Sequence, residues 1–469
     1  MANNKWLNDL KTLKATTNSL RNTLRNKNVA AYDTDTLQTL VGKVPNLAPI
    51  EIPENEKWQP DPLWKFPDPN GSGEMKTIRQ IYDEDTMAND YEYRAIFQIT
   101  DDYDTIDLKL AFGASTKAQT FVLSDGTVYT NDTNKNLLHT WNKEYDVEDS
   151  KGRKMRYIRY YSDTSGVGYI TGVYKSIVWV IYNGSTSITS TISLSDATMP
   201  RINSNLPYLE CVEFEDKVTY VQNLPGGNNF KKLVLKNGDR LGASTAAENK
   251  ISELVVYSMT TKYITSPSNT TSHCFSKWLA LKYIDFSNFT PSDNTLYVTS
   301  GSSSTTYNWS VEELRGLDLL PLKTLELGHF AGVLNVSLPN TLENLTITSM
   351  INLRELILPE NLTTFKMQGV WDSLQKLQFN DKLTSITMPF GGTTTGLFLQ
   401  EVIVPTDFNI SISLKSCISL THDCLVNMLN NLKDLTGDAA KTLTLGTTNL
   451  AKLTDEEKAI ATNKNWTLS

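Results

Sequence analysis

One short pattern of apolar residues repeats along the middle of this chain and restricts its fold more than any other feature. The pattern L-x-x-L-x-L, with related apolar residues accepted at each L, occurs eleven times between residues 205 and 415. Copies that begin at Leu322, Leu342, Leu362 and Leu383 are 20 or 21 residues apart. A period of this length is typical of a solenoid, in which each unit must stack on its neighbours to bury its apolar side. A second copy falls about halfway through each period from Leu342 to Leu383, so we expect strands on both walls of the coil.

The turns before these strands carry a second signal. They read LPNTL at 338–342, LPENL at 358–362 and FNDKL at 379–383. Turns of the L-P-x-x-L type before L-x-x-L-x-L strands resemble the irregular leucine-rich repeats of the BspA-like surface proteins. The resemblance spans residues 205–415 and implies an irregular leucine-rich-repeat solenoid there.

Two segments rich in Ser, Thr and Asn, 258–275 and 287–320, break the period. We interpret them as excursions on one rim of the coil, which either form a binding face or only cover it.

Residues 416–469 are predicted to be an α/β C-terminal cap. Thr421 is placed to begin a helix, TLTL at 442–445 reads as a strand, and Thr454 with Glu457 forms a capping box before a last helix. A solenoid needs such a cap because its last coil would otherwise expose its apolar side. The tract also resembles the C-terminal caps of leucine-rich proteins from gut bacteria and their phages.

Residues 74–204 are predicted to be a β-sandwich-like domain. Short strand patterns flank Asp125-Gly126, which is a strong hairpin signal, and no long helical pattern intervenes. Aromatic residues are concentrated here, and four of them are candidates for stacking on the sugar rings of a glycan: Trp141, Tyr160, Tyr161 and Trp179. The alternative is that they belong to the core, as aromatic residues on alternating strand positions usually do.

Residues 1–44 are predicted to be a helical segment. Apolar residues recur at alternating spacings of four and three, as in a coiled coil, and the candidate oligomer seam is Trp6, Leu10, Leu13, Leu20 and Leu24. Residues 1–30 carry six Lys or Arg and one Asp, so this end is basic in a chain with a net charge of -8. We interpret the segment as an anchor or oligomerisation segment of a trimer or dimer; the alternative is a helical hairpin that packs on the next domain.

A proline-rich linker is predicted to follow over residues 45–73, which hold seven of the seventeen prolines. Proline at this density favours an extended, semi-rigid chain.

The N-terminal sequence adds a second resemblance. KWLNDLKTLKATTNSLRNTLRNKNVAAYDTDTLQTLVGKV, residues 5–44, is similar to the short helical N-termini of tail and fibre proteins in phages of low-GC Gram-positive and gut bacteria. It implies a homo-oligomeric virion protein, made in the host cytoplasm, that attaches to other virion proteins by its N-terminus and recognises a host surface glycan or protein. The alternatives are an architectural head-fibre, collar or baseplate protein without receptor binding, and a BspA-like bacterial surface adhesin. The first residues lack the apolar core of a signal peptide, which disfavours the adhesin.

Composition and motifs argue against several other classes of function. With a net charge of -8 and a pI near 5.3, we expect no nucleic-acid partner, and without an 18-residue apolar run we expect no membrane insertion. Four cysteines are too few for a disulfide framework, so we expect reduced thiols.

We also expect a protein that is not an enzyme, with no catalytic residue, cofactor or metal. Cys417, His422 and Cys424 lack a fourth zinc ligand. The aspartate tract at 101–107 is predicted to be a solvated turn; calcium binding and a carboxylate pair for glycoside hydrolysis are the alternatives.

Overall fold

The computed structural model describes residues 58–91, 93–100, 107–111, 119–131, 136–162, 169–171, 176–184, 208–218, 230–238, 251–258, 280–299, 310–391 and 396–469. The predicted helical segment 1–44 lies outside these residues. The chain divides into two compact units, Met1–Gln59 and Pro60–Ser469, and only Trp58 and Gln59 of the first are described. Within its described residues the second unit is mainly β, which confirms the predicted fold class at this level.

In the part of the second unit before residue 185, the described residues form eleven strands, one α-helix and two short 3-10 turns. The helix is α1 (Ile78–Asp83), which begins at a capping box between Thr77 and Gln80. The strands are β1 (Phe66–Pro67), β2 (Met75–Lys76), β3 (Tyr93–Thr100), β4 (Asp107–Ala111), β5 (Gln119–Leu123), β6 (Val128–Asn131), β7 (Asn136–Thr140), β8 (Val147–Glu148), β9 (Lys154–Ser162), β10 (Tyr169–Thr171) and β11 (Ile177–Gly184).

The middle of the chain supplies strands with parallel partners. They are β12 (Cys211–Val218), β13 (Lys232–Gly238), β14 (Glu253–Val256), β15 (Tyr283–Asp285), β16 (Thr295–Thr299), β17 (Glu313–Arg315), β18 (Thr324–Gly328), β19 (Asn344–Thr348), β20 (Glu355–Ile357), β21 (Thr364–Gln368), β22 (Lys376–Gln378), β23 (Ser385–Thr387) and β24 (Glu401–Ile403). Strands β16 and β17 lie inside segment 287–320, so the prediction of a simple excursion was wrong there.

The C-terminal part mixes helices and strands, as predicted for residues 416–469. Its elements are β25 (Ile412–Ser413), α2 (His422–Asn431), β26 (Lys441–Thr444), α3 (Gly446–Leu450), α4 (Asp455–Asn463) and β27 (Trp466–Leu468). Thr421 caps α2 and the Thr454–Glu457 capping box begins α4, at the residues that the sequence indicates. Strands β25, β26 and β27 form a parallel sheet.

The largest sheet crosses the predicted domain boundary at residue 204. Among the described strands its order is β17-β15-β14-β13-β12-β11-β3-β9-β5-β6, with β8 beside β9. The pairs from β6 to β11 are antiparallel, whereas the pairs from β11 to β17 are parallel. The two halves therefore meet in one continuous sheet at the parallel β11–β12 pair.

Two further parallel sheets alternate along the chain. One has the order β16-β18-β19-β21-β23, and the other has the order β20-β22-β24. In the first, Leu325 pairs with Leu345, and Leu345 with Phe365, each partner lying 20 residues further on. These positions are those of the L-x-x-L-x-L units, and their side chains are buried. Burial of each apolar stripe therefore requires the next stripe to lie in register with it.

A single apolar cluster runs through the second unit. Among the described residues it extends from Ala95 to Trp466 and includes the inward side chains of the parallel strands. Residues 60–76, which include the later part of the proline-rich segment, also bury aromatic side chains: Trp64 is 2% exposed and Phe66 is fully buried against Tyr157. This stretch belongs to the second compact unit.

The turns that follow three neighbouring strands share one backbone conformation. His329, Ser349 and Gly369 have φ values of 61°, 49° and 75°. These residues come directly after β18, β19 and β21, so the left-handed conformation recurs at the end of three neighbouring strands. It turns the chain out of the sheet at the same place each time.

Candidate functional site

The candidate oligomer seam lies outside the described residues. Trp6, Leu10, Leu13, Leu20 and Leu24 all fall within residues 1–57, so the predicted seam stays a prediction.

The four aromatic residues that are candidates for glycan stacking do not form an exposed strip. Trp141 is 7% exposed, Trp179 is 4% exposed and Tyr161 is fully buried, whereas Tyr160 is half-buried and contacts Phe121 at a centroid distance of 4.9 Å. A ring must expose one face to stack on a sugar. The three buried rings do not expose such a face, because neighbouring side chains cover them.

Hydrogen bonds and ring contacts fix the three buried aromatic residues. Trp179 Nε1 donates to Glu213 Oε1 at 2.8 Å, and the Tyr161 hydroxyl donates to Asp85. Burial raises the pKa of Glu213, and nearby Arg79 opposes that shift. Trp141 lies beneath the Arg156 guanidinium at 5.2 Å. These aromatic residues therefore stabilise the fold, through partners that lie far away in the sequence.

One histidine joins the β5–β6 hairpin to strand β7 of a different sheet. His139 Nε2 is 2.8 Å from Asp125 Oδ2, and His139 Nδ1 is 2.9 Å from the Tyr129 hydroxyl. Since a carboxylate only accepts, Nε2 donates to Asp125, and Nδ1 shares a hydrogen bond with the Tyr129 hydroxyl. An acid, a histidine and a hydroxyl in this order resemble an activated nucleophile. His139 is only 7% exposed and lies edge-on to Trp141, so we assign the cluster to joining the sheets.

The described surface with the most regular chemistry is the outward face of the β16-β18-β19-β21-β23 sheet, which we call the polar strand face. Its first row is Thr295, Thr324, Asn344, Thr364 and Ser385. Its second row is Tyr297, Glu326, Thr346, Lys366 and Thr387. Its third row is Thr299, Gly328, Thr348 and Gln368. Neighbouring strands are about 4.8 Å apart, so the polar groups form a grid.

Threonine serves two separate purposes in this part of the chain. Just before the strands, the hydroxyl of Thr341 donates to Leu322 O at 2.7 Å, that of Thr363 to Glu343 O at 3.0 Å and that of Thr384 to Thr363 O at 3.1 Å. On the polar strand face, the hydroxyls of Thr346 and Thr364 have no hydrogen-bond partner among the residues that the structure describes. The first set ties each strand-and-turn segment to the segment before it, and the second set is available to a ligand.

The polar strand face carries little net charge. Glu326 and Lys366 lie in the same row with Thr346 between them, so their backbones are about 10 Å apart. Burial raises the pKa of Glu326, and the positive charge of Lys366 opposes that shift. One carboxylate and one ammonium group balance each other across the centre of the face.

A groove of about 800 Å³ follows the L-P-x-x-L turns. Residues of four successive turns line it, among them the apolar Leu358, Phe379 and Ile403 and the exposed Asn340 and Lys382. Ile357 in this groove is 51% exposed. A groove of this size with apolar residues and a few polar groups in its lining has the general character of a ligand site.

The three residues with zinc-ligand chemistry, Cys417, His422 and Cys424, do not converge on one point. Cys417 and Cys424 are buried free thiols, and burial raises the pKa of Cys417 to about 12. His422 instead contacts Asp423 and Glu457 on the surface. Nowhere in the described ranges do three or more His, Cys, Asp or Glu side chains gather as metal ligands would. Asp101, Asp102 and Asp104 lie outside those ranges.

Comparison with known proteins identifies no relative. No protein-family model, no curated protein and no solved structure matches the chain. In the described residues no helix is both long and apolar enough to cross a membrane.

Proposed function

We propose that this protein is a bacteriophage structural protein of the tail-fibre or receptor-binding type. Its N-terminal segment, residues 1–44, attaches the protein to other virion proteins and joins two or three copies. Its β domain and repeats recognise a glycan or protein on the surface of the host cell. The protein has no enzymatic role in this proposal, and it resides in the virion.

The proposal includes a finer description of the fold. Residues 74–204 form a β-sandwich-like domain, residues 205–415 form an irregular leucine-rich-repeat solenoid, and residues 416–469 cap it. Support comes from the parallel register, in which successive partners lie 20 or 21 residues apart from β18 to β23. Support also comes from the alternation of the two parallel sheets along the chain.

One observation carries the functional part of the proposal. The repeats hold an ordered polar face outward, in register over five strands, while their apolar residues are buried. A rigid grid of side chains loses little conformational entropy on binding. An oligomer that carries two or three such faces would bind the cell surface strongly even if each single contact is weak.

The test is binding to bacterial cells. The full-length chain and a chain that begins at Pro60 are incubated with a panel of low-GC Gram-positive and gut bacteria, and the mass of each protein is measured by light scattering. The truncation begins at Pro60 because Trp64 and Phe66 are buried in the second compact unit. We expect an oligomer that binds particular strains, and a truncated chain that is monomeric and binds them more weakly.

The opposite result has a clear meaning. An intact oligomer that binds no strain at any concentration contradicts receptor binding and supports an architectural head-fibre, collar or baseplate protein. Binding that is equally strong for the truncated monomer contradicts the anchoring and oligomerising role of residues 1–44.

A further inference from the structure

We infer that the polar strand face binds a neutral polysaccharide chain that lies across the strands. The inference rests on the proposed function, because it names the chemical class that the face would recognise on the host surface. Three properties of the face lead to it: its area, its hydrogen-bonding groups and its charge.

The area of the face suits a chain of sugars better than a folded protein. Five strands span about 19 Å across the sheet, and five residues span about 13 Å along a strand, which gives on the order of 250 Å². Each partner in a standard protein interface contributes about 800 Å². Binding hot spots in such interfaces are enriched in Trp, Tyr and Arg. Within the three rows only Tyr297, in the edge strand β16, is of these types, so the face lacks the anchors of a typical protein interface.

The hydrogen-bonding groups of the face match a polyhydroxylated ligand. Thr346 and Thr364 present hydroxyls that both donate and accept, and Asn344 adds an amide that does the same. Threonine has a branched Cβ and therefore few side-chain rotamers, so these groups are already ordered before a ligand arrives. A sugar chain offers hydroxyls of both kinds at every ring. The rows run across the strands, so a chain that follows the first row meets a hydroxyl or an amide group at each strand.

The charge of the face excludes a polyanion. Its single ammonium group, Lys366, is balanced by Glu326, and the whole chain carries a net charge of -8. An anionic polymer would meet no uncompensated positive charge here and would be repelled by the rest of the molecule. Binding of a neutral polysaccharide is not opposed by such electrostatic repulsion.

The experiment measures the affinity of the full-length protein for soluble polysaccharides. The neutral probes are dextran, mannan and a linear β-glucan, and the anionic probes are polygalacturonate and dextran sulfate. We expect binding to at least one neutral probe. The double variant Thr346→Val/Thr364→Val, which removes two hydroxyls and keeps the side-chain shape, should weaken that binding roughly fivefold to tenfold.

Two further variants separate binding from folding and from charge. Thr467→Val removes an exposed strand hydroxyl on β27, outside the face, and should leave affinity unchanged. Lys366→Gln should change the affinity for the neutral probe less than twofold. All variants should retain the circular dichroism spectrum and melting temperature of the unmodified protein, so that a loss of binding is not a loss of fold.

Three results would overturn the inference: no neutral probe binds, the double variant binds as well as the unmodified protein, or an anionic probe binds better and loses affinity in Lys366→Gln. Binding to bacterial cells is measured for the same variants. If cell binding persists while the double variant has no effect, the proposed function stands and this assignment of the face fails. If no strain is bound at all, the proposed function fails first.

Discussion

At the scale of single residues, the recurring left-handed turn places the strictest condition on side-chain identity. At Gly369 φ is 75°, and a Cβ atom built there would lie 1.8 Å from Ser349 Oγ. Ser349 Oγ in turn accepts a hydrogen bond from Val370 N at 3.1 Å. The turns after two neighbouring strands therefore interlock at a point where only glycine fits.

We expect Gly369→Ala to lower the free energy of unfolding by at least about 1–2 kcal/mol, because the left-handed conformation is unfavourable for a residue with a Cβ. Steric contact with Ser349 adds to this loss. Urea unfolding measures the change. The control is Gly391→Ala, where the nearest atom, Ser413 Oγ, would lie at an ordinary 3.5 Å. Equal effects of the two substitutions would show that the interlock does not contribute to stability.

A second prediction at the residue scale concerns pH. His422 Nε2 is 3.0 Å from Glu457 Oε1, and Nδ1 is 3.3 Å from Asp423 Oδ1. Hydrogen bonds to Asp423 and then Glu457 raise the pKa of His422 above its usual 6.5. A raised pKa means that protonated His422 stabilises the fold below about pH 6.5, and this contribution is lost as pH rises through the folded-state pKa.

The melting temperature of the unmodified protein should therefore exceed that of His422→Gln at pH 5.5 by more than it does at pH 8.5. Differential scanning calorimetry at both values measures the two differences. The histidine is exposed, so the effect should be small and should shrink in high salt. A difference between the two proteins that is constant with pH would rule out protonation of His422 as its cause.

At the scale of elements, side-chain amides in the turns tie one coil to the next. Asn380 Nδ2 donates to Leu362 O at 3.0 Å and also to Pro359 O, while Oδ1 accepts from Lys382 N and Leu383 N, each at 3.0 Å. Asn361 makes fewer links: its Nδ2 donates to Asn340 O at 2.8 Å, and its Oδ1 accepts from Lys382 Nζ at 2.6 Å. Asn380 therefore orders its own turn and holds the preceding one.

We expect Asn380→Ala to lower the free energy of unfolding by about 2–3 kcal/mol, because four hydrogen bonds are lost together. Asn361→Ala, which loses two hydrogen bonds at an exposed site, one of them to a solvated lysine, should lower it by only about 0.5–1 kcal/mol. Chemical unfolding of both variants under the same conditions tests the order. The reverse order would mean that these amides do not govern coil stacking.

The sequence predicts some elements well and others poorly, and the difference has a physical cause. The strands at 324–328, 344–348 and 364–368 were predictable because each apolar stripe must be buried by its neighbour, which fixes both period and register. The caps at Thr421 and Thr454 were predictable because capping is local. The hydrogen bonds of the Asn380 amide were not predicted, because Asn380 lies in a turn and not at the asparagine position of the commonest leucine-rich repeats.

The candidate site shows the limit of sequence patterns. In the sequence, Trp179 and Tyr161 are only aromatic residues within strand patterns. Their neighbours in the sequence do not indicate that Glu213 and Asp85 hold them by hydrogen bonds. The polar strand face could have been found from sequence, because its members recur between the buried Leu positions of each unit. Its signal was the alternation of threonine with leucine, which draws less attention than a cluster of aromatic rings.

At the scale of the whole molecule, stability should be transmitted mainly between neighbouring strands. From β18 onward each strand pairs with parallel strands about one repeat period away, and β25, β26 and β27 form the last sheet of the chain. Trp466 in β27 is 2% exposed, and its Nε1 donates to Lys433 O at 2.9 Å. A substitution at this residue should destabilise the nearest strands and helices first.

Trp466→Ala should lower the local free energy of unfolding by about 3–5 kcal/mol, as expected for the loss of a buried tryptophan. Hydrogen exchange measured by mass spectrometry should become faster in β25, β26, β27 and α2, and less so in β24. It should remain unchanged in β11 to β13, which lie in the large sheet near the other end of the repeats. The exposed neighbour Thr467→Ala is the control. Uniformly faster exchange along the whole chain would contradict coupling between neighbours and indicate that the second unit unfolds as a single cooperative body.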